Sequence, residues 1–226
     1  MAGTTTLGFL AGTGPLGQGL ALRLALAGHE ILIGSRSLDK AERVVAELPG
    51  GRELPIRPAT NADAASHGEV VYLMFPWEGQ TASLPPLAGA LAGKIVVSTI
   101  SPLAFDDDGP FMPAVPAGSA AEEARGLLPG ARLASAFHDV AARKLLAVER
   151  PVETDVLVCG DDAGAKAAAI GHADAIPGMR GVDAGPLRQS RQLEGLTAVL
   201  VAVNRRYRVR AGVRVTGLPE DKRRQA

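Results

Sequence analysis

The chain has 226 residues, 46% apolar and 21% charged, so it can bury a substantial core and is too apolar to be intrinsically disordered. Its 24 basic and 24 acidic side chains cancel, which removes any global electrostatic argument for nucleic acid or an anionic membrane surface as a partner. The single Cys159 excludes an internal disulfide framework and fits a reducing cytoplasm; no apolar run is long enough to span a bilayer, and an apolar strand starting within a few residues of Met1 argues against a secretory leader.

The first apolar run, Leu7 to Leu10, ends in Gly12-Thr13-Gly14-Pro15-Leu16-Gly17, and an apolar helical pattern through Leu20, Leu22, Leu24 and Leu26 follows at once. Strand, tight glycine turn and helix in that order form the context in which G-x-G-x-x-G reads as a dinucleotide-binding fingerprint. Gly12 permits the sharp turn, Gly14 lets the backbone approach a pyrophosphate, and Gly17 lets helix pack on strand. The unpaired N–H groups of the helix start attract the phosphates. Gly28 closes the helix as a C-cap. The second strand, Glu30 to Gly34, ends in Ser35-Arg36, with Lys40 one helical turn on. NAD sites carry an acid here for the ribose 2′-OH. A hydroxyl and a guanidinium instead suit a 2′-phosphate, so the pattern predicts NADP(H). The competing reading makes Ser35 the cap of the next helix and Arg36 a solvated charge.

That helix runs from Asp39 to Leu48 and stops at Pro49-Gly50-Gly51. Leu54 to Ala59 contains Pro55 and Pro58, so it is an edge strand or no strand. Asn61 or Asp63 caps a short helix through Ser66. Val70 to Met74 reads as a strand buried on both faces, and Phe75-Pro76-Trp77 follows at its C-terminal end, where parallel sheets bind ligands. A helix from Thr81 to Leu91, broken by Pro85-Pro86, leads to the strand Lys94–Ser98 and the polar turn Thr99-Ile100-Ser101-Pro102. Phe105 to Gly118 is rich in Pro and Asp and reads as a loop over the site. Ser119-x-x-Glu122 is a capping box opening a helix to Leu128. A strand from Arg132 to Phe137 carries His138 at its end, and Ala141 to Val148 forms a short helix. A strand Asp155–Cys159, a helix Ala163–Ala175, a short strand with turn at Gly181–Gly185, a helix from Leu187 to Asn204 and a basic tail complete the chain. The β–α alternation predicts an α/β fold, a doubly wound Rossmann-type parallel sheet. The regularity loosens between Gly130 and Pro151, which suggests an NADP-binding domain over 1–140 and a smaller C-terminal domain over 141–226.

The chain resembles the NADPH-dependent reductases of coenzyme F420, also called F420H2:NADP oxidoreductases. The resemblance rests on Gly12-Thr13-Gly14-x-x-Gly17-x-Gly19-Leu20-Ala21-Leu22-Arg23-Leu24, Gly28-His29-Glu30, Gly34-Ser35-Arg36 with Lys40, and Pro76-Trp77-Glu78. It continues through Val158-Cys159-Gly160-Asp161-Asp162 and Asp183-Ala184-Gly185-Pro186-Leu187 with Ser190-Arg191, so that it spans nearly the whole chain. It implies a Rossmann-type domain with a small C-terminal part at the deazaflavin site, assembly as a homodimer or higher homo-oligomer, and small redox cofactors, not nucleic acid or membrane, as partners. The implied reaction is reversible hydride transfer between NADP(H) and coenzyme F420, chemistry that the cofactors carry while protein orients them. It requires no metal, and the four histidines show no metal-ligand spacing.

On this footing Thr13 binds a ring or phosphate, or else stabilises its own turn. Phe75, Pro76 and Trp77 wall the nicotinamide pocket, or else pack the core. Ser98, Thr99 and Ser101 donate to the deazaflavin carbonyls, with Ile100 between them, or else cap a helix. His138 donates to the substrate ring, or is a satisfied structural histidine. Cys159 reads as a buried apolar filler. Arg188, Arg191, Arg205, Arg206, Arg208, Arg210 and Arg214 meet the anionic tail of F420, or form a solvated basic surface. Two rival functions stay open: an NADPH-dependent reductase of a small imine or carbonyl compound, with Tyr72, Tyr207 or His138 as proton donor, and a non-enzymatic NADPH-sensing module.

Overall fold

The computed structural model describes residues 4–51 and 53–218; the far end of the basic tail, 219–226, lies outside them. The first apolar run forms strand β1 (Thr6–Leu10) and the pattern after the glycine turn forms helix α1 (Pro15–Leu26). The helix is apolar nearly all round and correspondingly buried. Proline at its first turn loses no needed donor, and Gly28 beyond its end takes φ +98°, the left-handed conformation of a helix stop. Arg23 is buried in this helix and donates to the carbonyls of Leu145, Val148, Lys144, Ala147 and Arg150 at 2.6–3.3 Å. A guanidinium can satisfy so many acceptors at once because its donors are fixed in a plane. These bonds tie α1 to helix α7 (Ala142–Leu145) and the turn after it.

Strand β2 (Glu30–Ser35) pairs parallel with β1 and with β3 (Ile56–Thr60), which is the edge strand its prolines demand. Helix α2 (Leu38–Glu47) is capped by Ser37, not by Ser35: Ser37 sits one residue before the first helical position and accepts from the Lys40 amide. Helix α3 (Asn61–His67) is likewise capped by Thr60, whose hydroxyl accepts from the Asp63 amide, and not by Asn61 or Asp63. Strand β4 (Val70–Leu73) is buried throughout. The prolines at 85 and 86 divide the following helix into α4 (Gln80–Ser83) and α5 (Ala88–Leu91) with a 3₁₀ turn between. Strand β5 (Ile95–Ser98) follows.

The segment expected to be a loop carries a hairpin, β6 (Ala104–Asp106) and β7 (Gly109–Phe111). Asp106 accepts from the Asp108 and Gly109 amides at 3.0 Å each, and Gly109 has φ +124°, so local turn chemistry overcomes the proline content. Helix α6 (Ala120–Leu127) is capped by Ser119, but Glu122 does not complete a reciprocal box; its carboxylate takes Ser119 Oγ and the guanidinium of Arg191. Strand β8 (Arg132–Ser135) ends two residues before Phe137, which has φ +67°.

Eight of the described strands form one sheet in the order β10-β9-β8-β5-β4-β1-β2-β3, where β9 is Thr154–Gly160 and β10 is Met179–Asp183. From β3 to β8 all pairs are parallel. β9 runs antiparallel to β8, and β10 runs parallel to β9. The short α7 precedes β9, and α8 (Ala163–Asp174) crosses from β9 to β10. Residues on either side of position 140 thus share one sheet. A final helix, α9 (Ser190–Tyr207), follows a 3₁₀ turn at Leu187–Gln189 and packs against β7 and α6. The order reverses between β1 and β4, and a ligand crevice is expected beyond the C-terminal ends of the strands at such a switch point.

Candidate nucleotide and ring site

The crevice at the switch point is real and has two connected parts. The larger is a cleft of about 600 Å³ lined by Ala11, Thr13, Gly14, Ser35, Arg36, Ser37, Lys40, Asn61, Met74, Phe75, Pro76, Gly79 and Ser83. The smaller is a recess of about 200 Å³ lined by Ala11, Gly14, Pro15, Leu16, Gly17, Met74, Phe75, Thr99, Ile100 and Ser101. Ala11, Gly14, Met74 and Phe75 belong to both.

The glycine turn has the geometry its spacing predicts. A Cβ on Gly12 would sit 2.7 Å from Phe9 Cβ, and one on Gly17 would sit 2.2 Å from the Gly12 carbonyl oxygen. A Cβ on Gly14 would meet no protein atom within 4 Å. The first and third glycines are therefore demanded by the fold, while the second borders open space where a pyrophosphate fits. The first intrahelical bond runs from the Gln18 amide to the Gly14 carbonyl, at 2.9 Å. Leu16 and Gly17 lie in the first turn, where helical N–H groups have no intrahelical partner. They line the recess, and a helix start of this kind attracts anions.

Ser35, Arg36 and Lys40 converge on one end of the cleft, and no Asp or Glu lines it. Ser35 is buried and its hydroxyl accepts from the Ser37 amide at 3.2 Å, while Arg36 and Lys40 are exposed. This donor set fits a 2′-phosphorylated adenosine ribose and would leave a bare 2′-OH without its usual acceptor.

The recess is different in kind: none of its lining side chains is titratable. The Thr99 hydroxyl is engaged within the fold, donating to the Leu73 carbonyl at 2.9 Å. Ser101 and Thr197 of α9 share a hydroxyl–hydroxyl bond of 2.8 Å, and Thr197 also donates to the His138 carbonyl at 3.0 Å.

Five predicted site residues line neither part. Gly12 is inside the turn. Trp77 is half-buried beside the cleft, its indole donating to Glu123 at 3.1 Å, the carboxylate that Gln80 also reaches. Ser98 is fully buried within β5, where its hydroxyl faces the Ile100 amide at 3.5 Å. His138 is buried with Nε2 3.2 Å from Ser135 Oγ, and burial lowers its pKa to about 4, so it is neutral. Arg191 is spent on a bidentate pair with Glu122 at 2.8 Å. In the basic stretch, Arg214 pairs with Asp155 and Glu153. Burial likewise pushes the Cys159 thiol up to about 12, which makes it inert. Conversely, Ala11, Ser37, Asn61, Met74, Gly79 and Ser83 line the cleft without having been expected there. Among the described residues, no group of three His, Cys, Asp or Glu side chains is placed to hold a metal ion, and no helix is long and apolar enough to cross a membrane.

Comparison with known proteins shows the family to which the chain is related. Residues 6–102 match the family model described as NADP oxidoreductase, coenzyme F420-dependent. The chain is 39% identical over 219 residues to the F420-dependent NADP reductase of Methanothermobacter marburgensis, covering 93% of this chain and 98% of that one. It is 39% identical over 220 residues to the F420-dependent NADP reductase of Methanocaldococcus jannaschii, covering 94% and 98%. A crystal structure from Arthrobacter sp. FB24, of a protein proposed to be an F420-dependent NADP reductase, superimposes with a TM-score of 0.82 at 26% identity, covering 95% of this chain and all of that one.

Proposed function

The chain belongs to the family of F420-dependent NADP reductases, and from that premise we propose that it transfers a hydride reversibly between NADP(H) and coenzyme F420. One observation carries the reading: an acid-free cleft with Ser35, Arg36 and Lys40 at one end runs into an uncharged recess at the other. When bound, the nicotinamide and deazaflavin supply the whole of the redox chemistry. The protein's tasks are to bind and align. The turn and the start of α1 hold the pyrophosphate, Ser35, Arg36 and Lys40 hold the 2′-phosphate, and Thr13 contacts a phosphate or ring from the cleft wall. Phe75 and Pro76 line the cleft; Thr99, Ile100 and Ser101 line the recess, with Phe75 shared between the two. Such positioning must bring the reacting carbons to about 3–3.5 Å.

Reduction of an imine or carbonyl also needs a proton. Tyr72 is fully buried against His172, with its pKa raised above the ordinary phenol range by burial; Tyr207 is exposed at the end of α9; His138 is buried and neutral. None of them lines the recess, which favours a flat acceptor that takes hydride at carbon. His138 is accordingly assigned no proton.

The working division keeps 1–140 for the nucleotide and gives 141–226 the acceptor side, to which α9 contributes through Thr197. Phe105, Phe111 and Val199 are exposed apolar groups on the hairpin and on α9, and support a homodimer through that face. NADPH-linked chemistry and a single buried thiol fit the cytoplasm. The test is to mix the protein with NADPH and oxidised F420 and follow loss of the deazaflavin's visible absorbance. Turnover supports the reading; tight NADPH binding with no transfer would mark a sensing module instead.

A further inference from the structure

Ala11 stands at the mouth of the nucleotide turn with φ +57°, in the left-handed region that an L-residue enters at a cost of about 1–2 kcal/mol. Glycine would take it freely, yet the chain has a methyl group there. Something must hold the conformation. The Ala11 amide donates to Asn61 Oδ1 at 2.9 Å, across 50 residues of sequence. The next amide, Gly12, donates to the Gly34 carbonyl at 3.0 Å. Asn61 is free for this because Thr60 already caps α3. The carboxamide reaches the turn over Gly34, where a Cβ would sit 2.9 Å from Asn61 Oδ1. Asn61 and Ala11 both line the cleft.

We propose that Asn61 is a positioning residue for the dinucleotide: it latches the strained Ala11 so that the turn through Gly14 is set for the pyrophosphate before the nucleotide arrives. The latch offsets the backbone strain with one bond to an otherwise unpaired amide, and it ties the phosphate turn to the strand ends that carry Ser35 and Arg36. The inference rests on the reading of this turn as the NADP(H) site.

A double-mutant cycle tests it. NADPH is titrated into the wild type, Asn61→Ala, Ala11→Gly and the double variant, and KM for NADPH and kcat are measured in the same set. In the Ala11 background, Asn61→Ala weakens NADPH binding about tenfold, the worth of one bond and its strain, and the loss falls on KM and not on kcat. In the Ala11→Gly background the same change costs less than about twofold, because glycine needs no latch. An equal loss in both backgrounds, or no loss in the first, overturns the inference. If Asn61→Ala does not fold alone, recovery of folding and of NADPH binding to within about twofold on adding Ala11→Gly supports the inference, and a double variant that still does not fold, or that binds about tenfold more weakly than Ala11→Gly, overturns it. A wild type that binds no NADPH would instead sink the reading of the site itself.

Discussion

The two ends of the crevice share four residues yet are built from opposite chemistry. At the proposed ribose end lie two exposed cations and a buried hydroxyl, and Arg36, Lys40 and Ser35 all come from the end of β2 and the start of α2. At the ring end there is no charge, and the walls are backbone, Met74, Phe75 and the turn after β5. The contrast teaches where selectivity and reactivity are kept. On the proposed reading, the nucleotide is chosen by electrostatics on an open, local strand–helix unit. On the same reading the acceptor is admitted by shape, in a recess where Ser101 is braced by a helix almost 100 residues later.

The turn common to both ends should fail first. Gly14→Val adds side-chain atoms in space that the protein leaves open, so NADPH affinity is expected to fall at least 100-fold, about 3 kcal/mol, with Tm nearly unchanged. Gly17→Ala, whose Cβ would meet the Gly12 carbonyl, should lose both affinity and Tm; calorimetry beside a binding titration separates the two.

Beneath the ring end, the comparison can be sharpened by pH. Tyr72, two residues before Met74, bonds His172 Nδ1 at 2.7 Å, and burial lowers the His172 pKa to about 4 from 6.5. Between those values the unfolded chain takes up a proton that the folded chain refuses, so this contribution is intact above pH 6.5 and is lost as pH falls to 4. His172→Gln removes the titration. Its stability relative to wild type should rise by about 3 kcal/mol from pH 6.5 to 4, measured by urea unfolding at each pH. A constant difference would show that the imidazole is already charged in the fold.

Smaller effects should divide cleanly between the ends. NADPH binding should weaken several-fold from 0.05 to 0.5 M salt, because Arg36 and Lys40 are exposed, while NADH binding should barely move. Ser101→Ala loses one neutral bond to Thr197, about 1 kcal/mol, and should raise KM for F420 less than tenfold with NADPH affinity unchanged.

What was legible in the sequence follows the same division. The nucleotide half was readable because each feature is local: three glycines at fixed spacing, a missing acid, a strand that ends in Ser35-Arg36. Ser119 was read correctly as a cap, while Thr60 was passed over for Asn61 or Asp63, since all three side chains can accept from a helix-start amide and only the helix register separates them. Asp108-Gly109 was a turn signal for the hairpin, outweighed by the prolines around it. Ser98, His138 and Arg191 were read from polarity, from their places after strands and from the resemblance, none of which tells whether a side chain faces a cleft or a partner such as Glu122. Asn61 was read only as a helix cap, because its bond to Ala11 joins residues that only the sheet brings together. The reversal of β9 was hidden too, as a single apolar run carries no direction.

The central claim is that Ser35, Arg36 and Lys40 read a 2′-phosphate. It is tested most directly by titrating NADPH and NADH into the wild type and Arg36→Ala. The wild type is expected to prefer NADPH by at least about 100-fold, and the variant to lose about tenfold of NADPH affinity with NADH unmoved. Equal affinity of the wild type for the two nucleotides would contradict the account.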